Sequence, residues 1–245
     1  MLDHVPIMGD ILSLEIHGNI LNVGARSFPR FNFSDPENLQ LLPDIGAGFG
    51  TNSVQAGDNV YGFKNRWLLI ADVSDPEEPA LIDSVEMDFE VAQMIVVDDL
   101  LICQNARYDV NFHFISIRNP IEPELIGEFR HEQAGERETW GMPYYVMNDH
   151  LYIDAYQWDR YYLSCIDFSD PVEPYLRWER ESGRAFVVGT YIDILFFTSY
   201  EEDSNQVILY SVEDPDTLLE LGRFNDPYGI RELVLDGDLI YTSGR

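Results

Sequence analysis

Apolar and polar positions alternate in short bursts along the whole of this 245-residue chain. Runs such as "VYGF" (60–63), "WLLIADV" (67–73), "LLIC" (100–103), "LYIDA" (151–155), "YYLSCIDF" (161–168), "ILFF" (194–197) and "LIYT" (239–242) are rich in Val, Ile, Leu, Tyr and Phe. Gly, Asn, Asp and Pro bound them, which is the composition of half-buried strands separated by turns. No long stretch keeps the 3.6-residue period of a helix. The pattern predicts an all-β chain of short strands.

The strands fall into a repeat. "ADVSDPEEPALI" (71–82) has counterparts in "NFSDPENL" (32–39), "SIRNPIEP" (116–123), "DFSDPVEP" (167–174) and "SVEDPDTL" (211–218). The Asp/Asn-Pro pairs start at Asp35, Asp75, Asn119, Asp170 and Asp214, at intervals of 40, 44, 51 and 44 residues. Each copy reads as a strand, a small polar turn ("HGN", "GDN", "DD", "NDH"), a second strand, a variable loop, a third strand ending at Asp-Pro, and a fourth strand. Four antiparallel strands at this period predict a β-propeller. Residues 1–245 form one domain in this reading, with repeats at about 9–50, 51–90, 91–141, 142–184 and 185–229 and a partial sixth at 230–245. A six-blade plan is favoured. The leading "MLDHVPIMG" would add a strand to the deficient last blade, or further repeats belong to a longer chain. Asp before Pro suits a tight turn, because its carboxylate bonds amides just ahead and Pro presets φ. The repeated carboxylates therefore read as turn formers rather than ligand binders.

"DVSDPEEPALI" and "DFSDPVEP", recurring in this way, resemble the LVIVD-repeat β-propeller family over essentially the whole chain. WD40 and kelch signatures are absent. The resemblance implies architecture without a catalytic residue, a binding or scaffold role, and a secreted or cell-surface setting.

Charge narrows the partners. The formal net charge is −29 and the sequence pI about 4.2; Lys64 is the one lysine among 15 basic residues. A nucleic-acid backbone or an anionic membrane would repel such a surface. Salt adaptation and biased genome composition explain this acidity equally well. No apolar run reaches the ~18 residues of a membrane-spanning helix, and the N-terminus lacks the basic and apolar regions of a signal peptide. Cys103 and Cys165 have neither metal-type spacing nor a CxxC pattern and read as buried free thiols.

With strands a to d in antiparallel order, the a–b and Asp-Pro c–d turns share one face. The b–c loops and d–a connections share the other, where length and content vary and function concentrates. Loops 104–111, 155–162 and 199–206 and the connection 130–143 hold Arg107, Tyr108, His131, Arg137, Trp140, Tyr156, Trp158 and Arg160. Two shorter connections add Arg184, Tyr228 and Arg231. Mixed aromatics and arginines are the residues of binding hot spots. Arg184 and Arg231, at equivalent entries to an innermost strand, suit an anionic or carboxylate-bearing ligand. The competing reading has Trp140 and Trp158 filling space between blades and the arginines pairing with neighbouring acids.

No GxSxG, HExxH, P-loop or GxGxxG context is visible. His131, near Glu132, Glu136 and Glu138, is an acid–base candidate, but the segment reads better as a solvated charge run. No cofactor is expected; calcium on the carboxylate row lacks a DxDxDG loop. The reading is a non-catalytic β-propeller binding or scaffold module, holding a protein or small polar ligand on the loop face of blades three to five. One alternative is a hydrolase- or lyase-type enzyme with a channel-mouth site for a polar or saccharide substrate. The other is a structural repeat module of a larger surface protein.

Overall fold

The computed structural model describes residues 13–24, 28–35, 37–50, 52–106, 111–131, 144–157, 160–183, 185–201, 204–225, 230–236 and 239–244. None of these is helical. Their strands form five four-stranded antiparallel sheets and one two-stranded sheet, each in chain order. Blade 1 contains β1 (Ser13–His17), β2 (Ile20–Gly24), β3 (Arg30–Asn32) and β4 (Gln40–Leu41). Blade 2 contains β5 (Ser53–Ala56), β6 (Asn59–Lys64), β7 (Trp67–Asp72) and β8 (Ala80–Glu86). Blade 3 contains β9 (Val91–Val97), β10 (Leu100–Asn105), β11 (Asn111–Ser116) and β12 (Glu124–Arg130). Blade 4 contains β13 (Tyr144–Met147), β14 (His150–Gln157), β15 (Arg160–Asp167) and β16 (Tyr175–Gly183). Blade 5 contains β17 (Ala185–Tyr191), β18 (Ile194–Glu201), β19 (Ser204–Ser211) and β20 (Leu219–Asn225). The partial sixth repeat supplies β21 (Ile230–Asp236) and β22 (Leu239–Gly244).

The Asp-Pro motif is a turn closed on itself. Oδ1 of Asp35, Asp75, Asp170 and Asp214 accepts the amide two residues ahead at 3.0–3.1 Å. The carbonyl at all five motif positions accepts the amide three ahead. Asn32, Asp72 and Asp167 repeat the device three residues earlier, on Ser34, Ser74 and Ser169. Just beyond the third strand, the amides of Phe33, Val73, Ile117, Phe168 and Val212 bond the carbonyls of Asn19, Asp58, Asp99, Asp149 and Asp193 at 2.8–2.9 Å. That contact ties the c–d turn to the a–b turn on one face and fixes a common register for all five blades.

The a–b turns need left-handed backbone, which Gly18 and Gly57 supply freely. Blade 5 places Ile192 there, at φ 52° and 69% exposed. A β-branched side chain is costly in that region. Ile192→Asn should stabilise the protein by about 1 kcal/mol, read as an increased denaturant midpoint at unchanged m-value.

Contacts group the chain into two compact units, residues 1–107 with 112–127 and residues 108–111 with 128–245. In the first, blade 2 packs on blade 3 through Tyr61, Phe63, Leu68 and Ile70 against Met94, Leu101, Cys103 and Ile115. A second cluster joins Phe28, Ile45 and Phe49 to Val60, Leu69 and Ala71. Gly62 belongs to this seam: a Cβ there would meet Phe49 and Ser53 within 3 Å. In the second unit, Tyr152, Leu163 and Cys165 of blade 4 pack on Val187, Leu195, Phe197 and Ile208 of blade 5. Both cysteines are free and buried.

Two expected loops are mostly strand. Segment 155–162 continues β14 and β15 with Ala155 opposite Tyr162, Tyr156 opposite Tyr161 and Gln157 opposite Arg160. Segment 199–206 likewise continues β18 and β19, with Tyr200 opposite Asn205. Tyrosines favour the pleated ladder, so these hairpins extend further than their polar residues suggest.

Candidate functional site

Of the residues singled out from sequence, Arg107, Tyr108, Arg137, Trp140, Trp158, Arg184 and Tyr228 lie outside the described residues. Tyr156, Arg160 and Arg231 have strand positions in β14, β15 and β21. His131 is fully placed, and it is not part of a solvated run. It follows β12, is 4% exposed, and its Nε2 lies 3.0 Å from Glu179 Oε2. The same oxygen accepts the Ser164 hydroxyl at 3.0 Å. The His131 and Phe129 rings form a T-shaped pair. The imidazole is buried because Glu179 offers an acceptor in the seam. Serine, carboxylate and histidine meet here with the carboxylate in the middle. A nucleophilic triad needs the imidazole between the other two, so this trio ties strands together rather than activating Ser164.

A second polar group sits in the seam between blades 4 and 5. Asp154 on β14 is 1% exposed; its Oδ2 accepts the Val187 amide at 2.7 Å and its Oδ1 has no partner among the described residues. Tyr145 reaches the Val187 carbonyl at 3.5 Å. Val187 adjoins an irregularity in the β17–β18 ladder, so its peptide is held from blade 4 on both sides. Burial pushes the Asp154 carboxyl up to about 7, with the Val187 amide pulling the other way.

The opposite end of that seam carries an ion network. Arg177 bonds Asp216 through Nε and Nη2 at 2.6 and 3.0 Å. Its Nη1 donates to Asp167 at 2.8 Å and lies 3.1 Å from His150 Nε2. Asp167 also accepts from Ser169 and Tyr175. Burial opposes its ionisation, yet the Ser169 and Tyr175 hydrogen bonds and the His150 field bring its pKa down to about 2. Trp178 Nε1 bonds the Pro215 carbonyl and Arg180 Nη2 the Asp216 carbonyl. The Asp-Pro face of blades 4 and 5 is therefore spent on joining the blades.

A third group, in the seam between blades 1 and 2, was missed by motif reading. Glu15, Asn22 and Arg30 form one row across β1, β2 and β3. In the common register, Asn22 corresponds to Tyr61, Ile102, Tyr152 and Phe196, and Arg30 to Ile70, Phe114, Cys165 and Leu209. Every other blade is apolar or aromatic at these positions. Arg30 is 1% and Asn22 0% exposed. Asn22 Nδ2 donates to Gln55 Oε1 at 2.6 Å, and Glu15 Oε2 accepts the Gln55 amide at 3.2 Å. Burial raises the Glu15 pKa against that amide and the neighbouring His17. Aligning the repeats column by column, instead of searching for motifs, would have exposed the row.

Five four-stranded antiparallel blades at a 40–51-residue period define an all-β, β-propeller protein. No family model matches the sequence, and no curated protein matches it. Solved structures do. A functionally unknown protein from Desulfotomaculum acetoxidans is similar at TM-score 0.64 and 9% identity, over 92% of this chain and 73% of that one. The WD40 domain of Toxoplasma gondii coronin is similar at TM-score 0.60 and 12% identity, over 89% of this chain and 58% of that one. The S. cerevisiae assembly of Dbp5 with Nup159, Gle1, IP6 and ADP contains a chain similar at TM-score 0.57 and 12% identity, over 96% of this chain and 73% of that one. These likenesses establish the fold.

Proposed function

We propose that this propeller is a non-catalytic module that holds a protein or small polar ligand on the loop face of blades three to five. The carrying observation is the asymmetry between the two faces. On the Asp-Pro face, carboxylates and carbonyls bond backbone amides ahead of them, and Arg177, Trp178 and Arg180 bond across the seam. Those groups serve the turns and the joint between blades 4 and 5. The sequence reading assigns the unequal connections, with their arginines and aromatics, to the other face. Similarity to a chain of the Nup159 assembly, a complex of several proteins, supports a protein partner. The recurring Asp-Pro grammar resembles that of LVIVD-type repeats, and this resemblance implies a secreted or cell-surface setting. Ser164, Glu179 and His131 stand in the wrong order for a nucleophilic triad and lend the enzymatic alternative no support of their own.

A thermal-shift screen followed by Trp fluorescence tests the reading, using calcium, magnesium, manganese, zinc, simple sugars and short peptides at low and high salt. A binder at a hundred times its Kd should add about 2.7 kcal/mol of stability. That gain should vanish in a Trp158→Ala, Arg137→Ala double variant. A gain fully retained by the double variant would remove the loop face as the site.

A further inference from the structure

The guanidinium of Arg30 is nearly inaccessible, and its Nε and Nη1 have no hydrogen-bond partner among the described residues. Arg30 forms none of the ion pairs among the described residues. The carboxylate in its own row, Glu15, is engaged by the Gln55 amide and lies 3.5 Å from His17. Beside Arg30 across the strand pair, Asn22 Oδ1 also lacks a partner, its Nδ2 being committed to Gln55. Burial drives the Arg30 pKa down, but a guanidinium keeps its charge in proteins. An uncompensated buried cation is strongly unfavourable, and buried donors and acceptors are almost always satisfied.

The missing partner can be read from these atoms. It must accept hydrogen bonds from a cation and donate one to an amide oxygen. We propose that the seam between blades 1 and 2 is a binding site for a small oxyanion that also carries a hydroxyl, such as hydrogencarbonate, hydrogenphosphate or a short hydroxy-carboxylate. Its charged oxygens accept from Arg30 and its hydroxyl donates to Asn22 Oδ1. The low exposure of both residues limits the ligand to a few heavy atoms. Phe28, two residues before Arg30, and Phe49 belong to the apolar cluster of the same two blades, which favours a dry surrounding and strong charge-assisted bonds. The site is independent of the loop-face reading of blades three to five. The competing occupant is ordered water, which also satisfies buried polar groups.

The experiment titrates the 15N-labelled full chain with sodium hydrogencarbonate, phosphate and lactate at constant ionic strength set by chloride. The Arg30 Nε–H resonance and the Tm are followed together. One of the three should move the resonance saturably and raise the Tm above the chloride control. Arg30→Met should weaken that affinity about tenfold or more, the worth of a hydrogen bond to a charged group. Asn22→Asp, a change of charge at constant size, should weaken it as well and guards against a folding defect in the arginine variant. If none of the three shifts the Arg30 resonance beyond chloride, or if both variants bind as the wild type does, the seam is a hydrated polar joint and the proposal fails.

Discussion

Asp154→Asn should stabilise the protein at pH 8 by about 3 kcal/mol, because the folded state no longer holds an ionised carboxylate in a seam whose burial pushes its pKa to about 7. Asn retains the acceptor for the Val187 amide, so the joint between β14 and β17 is kept. For a chain of this length that gain corresponds to a Tm rise of roughly 6–12 °C. The pH dependence gives a stricter check. The Asp154 pKa is raised in the folded state, so folding binds a proton between the unfolded and folded values. Its stability contribution is complete below about pH 4 and is lost as pH rises through about 7. Thermal unfolding of the wild type should show this fall across the window, and the variant should lack it. Equal slopes in both proteins would contradict the burial of the carboxyl.

Arg177→Met should cost about 1–2 kcal/mol at neutral pH: Asp167 is buried, but Arg177 is partly and Asp216 mostly exposed, so solvent screens much of the network. Asp167, 6% exposed at its side chain, would keep only neutral donors and His150, and Asp216 would lose a two-point contact. The seam would also lose one of the links between β16 and the blade 5 turn, with those from Trp178 and Arg180 remaining. The sign with pH is opposite to that of Asp154. Asp167 has a depressed folded pKa of about 2. Its stabilisation is present above the unfolded carboxylate value near 4 and disappears as pH falls toward 2. Urea titrations at pH 7 and pH 3 should therefore show a large deficit for Arg177→Met at the higher pH and a smaller one at the lower. A deficit that does not shrink on acidification would mean that packing, not charge, is what Arg177 supplies.

Much of the architecture was legible because it rests on local rules. The Asp-Pro turns announce themselves: a carboxylate two residues before the amide it bonds is readable at Asp75 as at Asp214. Strand number followed from the same turns. Loop length was less legible, since "AYQWDRYY" looks polar while its tyrosines continue the β14–β15 ladder. The buried polar groups were the hardest to see. His131 stands among glutamates in the sequence, but its partner Glu179 is 48 residues away. Asp154 sits inside "LYIDA" as an ordinary strand residue until β17 presents the Val187 amide to it. Arg30 and Asn22 become notable only when compared with Ile70, Cys165, Tyr61 and Tyr152 in the same register. Each depends on which blade faces which, and that contact is not encoded within any one repeat.

The division of labour between the two faces is tested most directly by hydrogen exchange of the full chain with and without a binder from the thermal-shift screen. Protection should gather in 104–111, 130–143, 155–162 and 199–206 and leave the Asp-Pro turns at 35–38, 75–78, 119–122, 170–173 and 214–217 unchanged. Protection centred on those turns, with the loop segments unaffected, would show that binding uses the face assigned here to structure alone.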